Sequence, residues 1–139
     1  HHTISSTLMN QVLLLTREFF ALPQHEKDKI NIHFSPCGRG YGKLEAEQTY
    51  GYRDYKETFD LAPENLLHAN RGAYKHLRLI GPNQWPDHSL LSTYCFKETI
   101  LSYLSEMIKL GSLLMLAITE SLQYPISEYE KYFKPDHDD

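Results

Sequence analysis

The stretch that decides the fold runs from residue 88 to residue 123, HSLLSTYCFKETILSYLSEMIKLGSLLMLAITESLQ. Leu90, Tyr94, Leu101, Leu104, Ile108, Met115, Ile118 and Leu122 recur at steps of three, four or seven residues, as one face of a helix requires. Asp87 stands where an N-cap belongs, and Pro125 stands where the helix must stop. Unbroken, such a helix is about 54 Å long at roughly 1.5 Å per residue. That exceeds the diameter of a 139-residue globule, so the apolar stripe asks for a larger body to lie against. Gly111 falls on the stripe, where it costs about 1 kcal/mol relative to Ala, and predicts a close approach of another backbone.

Upstream of this helix, residues 62–86 lack periodicity and contain Pro63, Pro82 and Pro86, which reads as an irregular connection closed by a Gly81–Pro86 turn. Between Asn31 and Leu61 glycines alternate with aromatics, Phe34, Tyr41, Tyr50, Tyr52, Tyr55 and Phe59 among them. That pattern favours strands and turns. It predicts two short strands, Arg39–Leu44 and Tyr55–Leu61, joined by a loop from Glu45 to Arg53. In the second strand Tyr55, Glu57 and Phe59 share one face, and Lys56, Thr58 and Asp60 share the other. Near the start, Ser5 or Ser6 caps a helix to about Phe20 with Leu8, Val12, Leu15 and Phe19 as its stripe, widened by Met9 and Phe20. Pro23 ends it and opens a short, charged, exposed helical turn over Gln24–Lys29. Ser127–Phe133 predicts one more turn after Pro125. The fold class is therefore α+β.

Composition narrows the function. Hydrophobic residues are 41% and charged residues 23%, ordinary for a globular chain, and 14 basic against 18 acidic side chains leave a net charge of −4. No basic run exists to track a phosphate backbone, so neither nucleic acid nor an anionic membrane is expected as a partner. The most apolar stretch, Leu110–Ile118, is too short to span a bilayer. Two cysteines far apart, Cys37 and Cys95, read as reduced thiols of a cytoplasmic protein. No basic segment followed by an apolar run opens the chain. His1-His2 reads as an affinity-tag remnant or as native sequence, and with no initiating Met before it the natural start is expected upstream.

Four landmarks then resemble, in order, the N-terminal region of the iron(II)/2-oxoglutarate-dependent dioxygenases related to isopenicillin N synthase. Phe19-Phe20-Ala21-Leu22-Pro23 followed by Glu26-Lys27 is similar to the family's FF-x-LP-x-x-x-K stretch. Arg39-Gly40-Tyr41-Gly42 is similar to its Gly-Tyr strand. Asp54-Tyr55-Lys56-Glu57-Thr58-Phe59-Asp60 is similar to its D-x-KE-x-F strand, and Asn83-Gln84-Trp85-Pro86 to its PNxWP turn. His2-Thr3-Ile4 resembles the HGI after the family's first strand, with Thr3 in place of the Gly.

The resemblance implies that residues 1–139 are a partial N-terminal domain, with a first strand and a C-terminal jelly-roll core outside the chain. It implies iron(II) and 2-oxoglutarate in the intact family member, bound by a facial triad of two His and a carboxylate in that core. None is expected for this chain alone, and no catalytic or metal-binding residue is assigned. His137-Asp138-Asp139 has His-x-Asp spacing, but lies before the strands that carry the family's ligands and reads as a solvated tail. His25, His33, His68, His76 and His88 show no ligand spacing.

Arg39 and Tyr41 are the substrate-entrance candidates, the first able to hold a carboxylate bidentately and the second through its hydroxyl. The competing reading packs Tyr41 into the sheet and turns Arg39 to solvent. Glu57 reads as a structural ion pair or hydrogen bond, Trp85 as a buried anchor for the long helix and Cys37 as inert. The expected partners are the jelly-roll core and a small-molecule substrate. The expected function is support of an oxidoreductase, the fragment itself being inactive. The alternative is a free-standing protein-interaction module, or truncated gene product, using the exposed stripe.

Overall fold

The computed structural model describes residues 4–64, 79–91 and 95–133. The chain is α+β: α1 (Ser6–Phe20), α2 (Gln24–Asp28), β1 (Gly40–Gly42), β2 (Gln48–Thr49), β3 (Tyr52–Arg53), β4 (Thr58–Asp60), α3 (Phe96–Ser121) and α4 (Ile126–Phe133). Single turns of 3₁₀ helix stand at Ile32–Phe34 and His88–Leu90.

Ser5 caps α1, its Oγ accepting from the Leu8 amide at 3.5 Å. The predicted stripe faces inward, and Leu15 and Phe19 are fully buried. They meet Ile30, Tyr41, Leu91, Phe96 and Ile100 in one core, with Val12, Phe20, Leu22, Phe59, Leu61, Trp85 and Leu104 packed against it. Phe19 is the hub. Its ring stacks on Phe59 at 4.5 Å between centroids, lies 5.9 Å from Phe96, and meets Phe20 edge-on at 5.0 Å. One aromatic of the first helix, Phe19, thus reaches a strand forty residues on and the start of α3, and area burial with ring packing holds the three elements together.

β1 and β4 pair antiparallel with Tyr41 opposite Phe59, as expected of the two strands, but each is three residues long. Tyr55 therefore precedes β4 and is exposed, while Glu57 and Phe59 turn inward. The stretch Glu45–Arg53, expected to be a loop, holds a second antiparallel pair, β2 with β3. Its two-residue connection is Tyr50-Gly51, both at positive φ (52° and 84°), the form whose twist matches paired strands. Tyrosine rarely takes that conformation, which is why the pattern carries no hairpin signal.

The long helix differs from expectation at its start. Asp87 caps, but it caps the 3₁₀ turn, its Oδ1 accepting from the Ser89 amide at 2.9 Å. Regular α-helix begins only at Phe96, and at 26 residues it is about 39 Å long. Tyr94 of the stripe lies outside the described residues, as do the Asn65–Arg78 part of the irregular connection, His68, His76 and the His137–Asp139 tail. At Gly111 nothing among the described residues lies within 4 Å of where a Cβ would stand, so the expected close approach of another backbone is not seen among them.

Burial along α3 falls off with distance from the aromatic hub. Phe96 and Ile100 are buried and Leu104 is packed on the core, but Ile108 is 51% exposed. Leu113, Leu114, Ile118 and Leu122 beyond it are exposed too. By length and composition α3 as a whole is apolar enough to cross a membrane, with a mean hydropathy of 1.4 over its most apolar window. This corrects the reading of Leu110–Ile118 as the apolar limit. An unpartnered core helix passes the same test, and the mid-helix Glu106–Lys109 ion pair at 2.7 Å suits a water-facing side. α4 folds back on α3, its Tyr129 stacked on Phe133 at 5.6 Å.

Candidate functional site

Lys27, Tyr41 and Glu57, from three of the four landmarks, meet beside β1, and Gln84 of the fourth holds the turn before it. Lys27 of α2 is 5% exposed, and its Nζ donates to the Phe20 carbonyl at 3.1 Å and to Glu57 Oε1 at 2.5 Å. Glu57 Oε1 also accepts from the Tyr41 hydroxyl at 2.5 Å. The Gln24 amide donates to the Tyr41 oxygen at 3.2 Å and to Asp28 Oδ1 at 2.8 Å. The Lys27 ammonium stands 5.3 Å from the Tyr41 ring centroid, close enough for attraction to its face.

A lysine this deep persists only because its charge is paired and its protons have acceptors. The electrostatics agree. The Glu57 carboxyl is held below its usual range, first by the bond from Lys27 and then by that from Tyr41. The Tyr41 hydroxyl is pushed up to about 12, first by burial and then by donating to the Glu57 carboxylate. Glu57 is thus the structural ion pair expected of it. Adjacent Lys56 points elsewhere, to Glu47 and Asp54.

A second set of contacts holds the turn before β1. The Gln84 amide nitrogen donates to the carbonyls of Ile30 (3.3 Å), Asn31 (2.9 Å) and Arg39 (2.8 Å). Gly40 beneath it has φ +120°, and a Cβ there would strike the Ile30 carbonyl and come within 2.6 Å of Gln84 Nε2. Only glycine fits that geometry. Asn83 acts as a strand partner for Ala62, accepting its N–H at 3.0 Å and donating to its carbonyl at 2.7 Å. Trp85 packs edge-on against Phe96 at 6.2 Å, the anchor role expected of it, and is partly buried. The Asn-Gln-Trp turn therefore ties three separate parts of the fold.

Of the two substrate-entrance candidates, Tyr41 is fully buried and its hydroxyl is taken up by Glu57 and Gln24. Arg39 is half-buried. Its Nη1 donates to the carbonyls of Cys37 (3.2 Å) and Gly38 (3.4 Å), and its Nη2 to that of Leu79 (2.9 Å). Nε is buried and has no partner among the described residues, and no described carboxylate pairs with the guanidinium. Cys37 is buried, its thiol against Ser35 Oγ and the Pro82 carbonyl, an arrangement without a base. Both cysteines are free thiols, Cys95 exposed.

The sequence pattern points to Arg39, Tyr41 and Glu57 but assigns no role to Lys27, Gln24 or Gln84, although Lys27 and Gln84 lie inside the quoted landmarks. Among the described residues no three His, Cys, Asp or Glu side chains converge as a metal site. The described residues therefore do not bring together the two His and one carboxylate that an iron site of this kind needs.

The internal ties of this α+β body are made by residues of its dioxygenase-like motifs. Comparison with known proteins agrees: residues 1–88 match the family model described as the N-terminal region of non-haem dioxygenases in morphine synthesis, and the chain belongs to that family. Similar relatives include the 2-oxoglutarate-dependent dioxygenase frbJ of a Dothideomycetidae species, 30% identical over 94% of this chain and 34% of its own length. Homoarginine-6-hydroxylase 2-ODD-C23.1 of Arabidopsis thaliana is 32% identical over 93% of this chain and 37% of its own. A Dictyostelium discoideum protein named as a probable iron/ascorbate oxidoreductase is 30% identical over 97% and 38%. The chain spans little more than a third of each of these relatives.

Proposed function

We propose that this chain is the N-terminal supporting region of an iron(II)/2-oxoglutarate-dependent oxygenase acting on a small organic substrate, and that by itself it is inactive. The observation that carries the reading is the far half of α3. Ile108, Leu114 and Ile118 stand exposed on that helix and Leu122 just past its end, an apolar face of the kind that marks a docking surface. A jelly-roll core supplied by the rest of the polypeptide covers that face and carries the metal and 2-oxoglutarate sites. The relatives' names support the cosubstrate and the iron.

In this proposal the domain comprises residues 1–139 together with a preceding strand, and the protein works in the reducing cytoplasm, in keeping with two free thiols. Arg39 stands at the substrate entrance. Tyr41 serves that entrance from behind, as the buried strut that keeps β1 in register. The same exposed face also favours the alternative of a free-standing interaction module. Sequencing the coding DNA on both sides distinguishes the two. A frame continuing past Asp139 into His-x-Asp, a distant His and Arg-x-Ser is expected; an immediate stop defeats the oxygenase reading.

A further inference from the structure

We infer that the open edge of β4 is a docking site for an extended, basic segment from the rest of the polypeptide, which joins β1 and β4 as a further strand; this rests on the reading of the chain as one region of a longer oxygenase. The backbone shows which groups are free. Tyr41 spends its N–H on the Ile30 carbonyl at 2.9 Å, on the side of β1 away from β4. Bonded and non-bonded positions alternate along an antiparallel pair. Gly40 therefore bonds with Asp60 and Gly42 with Thr58, while Tyr41 and Phe59 face each other without bonds. Phe59 turns its own N–H and carbonyl outward, and neither has a partner among the described residues. Unpaired edge groups of this kind are a template for another strand.

A groove runs along that edge. Residues 57–61 form one wall, and Phe19, Phe20, Phe96 and Ile100 line the other, around a cavity of about 330 Å³. Alternate apolar side chains of an added strand can bury against those rings. The described charges on the groove are both negative. Glu57 is paired with Lys27 through Oε1 alone, and Asp60 is exposed and has no described side-chain partner. No Lys, Arg or His among the described residues lines the groove. A Lys or Arg on the incoming strand complements this rim. A second copy of the chain would instead set the same carboxylates against each other, and like charges destabilise a strand pair. The chain spans little more than a third of its relatives, so the remaining polypeptide is the source of the strand.

The test is amide hydrogen exchange, read residue by residue, in the complete gene product and in the 139-residue chain. In the short chain the Thr58 and Asp60 amides should be protected and the Phe59 amide should exchange freely. In the complete product Phe59 should slow at least about a hundred-fold, to the level of its two neighbours. Asp60→Lys keeps the pairing with Gly40, which uses backbone alone. In the complete product it should speed Phe59 exchange at least about ten-fold and leave Thr58 unchanged. Phe59 equally fast in both proteins overturns the inference, and so does protection that Asp60→Lys leaves intact. Slowing of Phe59 in the short chain that grows with protein concentration assigns the edge to a second copy and overturns it too. A complete product that binds iron(II) and 2-oxoglutarate while Phe59 stays unprotected defeats the added strand alone. A coding frame that stops after Asp139 leaves no such segment and defeats the oxygenase reading with it.

Discussion

Replacing Lys27 by Met tests whether the buried network holds the strand to the helices. Met keeps most of the apolar stem and removes the ammonium. Two bonds go, to the Phe20 carbonyl and to Glu57. A buried acceptor left without its donor costs about 1–3 kcal/mol, and breaking a buried ion pair from one side costs about 3–5 kcal/mol. The second figure must be discounted, because the Glu57 side chain is 28% exposed and water can take up part of its charge. The expected loss is about 2–3 kcal/mol, a large share of a typical stability of roughly 5–15 kcal/mol. In urea, with a slope of about 2 kcal/mol per M, the midpoint should fall by about 1–1.5 M at unchanged slope. Glu57→Gln should lose less, since its amide oxygen still accepts from Tyr41. The double variant should be more stable than the sum of the two losses predicts, by about 1–2 kcal/mol. A Lys27→Met midpoint equal to wild type would refute the claim that this ion pair contributes to stability.

Three further outcomes follow from the geometry. Glu57 has a lowered carboxyl pKa, so its contribution is present above the ordinary carboxylate value and is lost as pH falls through the folded one. Tyr41 is raised to about 12, so its contribution is present below the ordinary phenol value and is lost as pH climbs toward 12. Ultraviolet titration of the phenols should show a late step near pH 12, and Tyr41→Phe should remove it. Gly40→Ala should destabilise by at least about 2 kcal/mol in the same urea assay, from positive φ and the clash at Ile30; a neutral result would mean that the turn relaxes freely. Leu114→Lys with Ile118→Lys should change stability by no more than about 0.5 kcal/mol while reducing self-association of the isolated chain in analytical ultracentrifugation. A strictly monomeric wild type would contradict the docking role of that face.

Much of this architecture is legible in the amino-acid pattern. α1 follows from Leu15 and Phe19 at helical spacing, and the two strands follow from aromatics set between glycines. What stays hidden depends on contacts distant in sequence. Lys27 reads as one charge on an exposed turn, and only the fold brings Glu57, thirty residues away, to its ammonium. Gln84 is visible as a motif letter, but its three carbonyl acceptors lie at residues 30, 31 and 39. The hairpin at Tyr50-Gly51 escapes the pattern because tyrosine seldom accepts positive φ. Helical periodicity starts α3 too early because Asp87 is a sound cap, here serving a 3₁₀ turn. The candidate site is half legible: Arg39 and Tyr41 stand out together in the sequence, yet one faces the ligand side in our proposal and the other is sealed in the core.

The central claim is that a metal-bearing core encoded beyond these residues completes the protein. The most direct measurement is anaerobic addition of iron(II) and 2-oxoglutarate to the complete gene product and, separately, to residues 1–139, monitored for the visible charge-transfer absorption of the ternary complex. The account predicts the band, at one equivalent of each, in the complete product and its absence from the 139-residue chain. A stoichiometric band from the short chain, or none from the complete product, would contradict it.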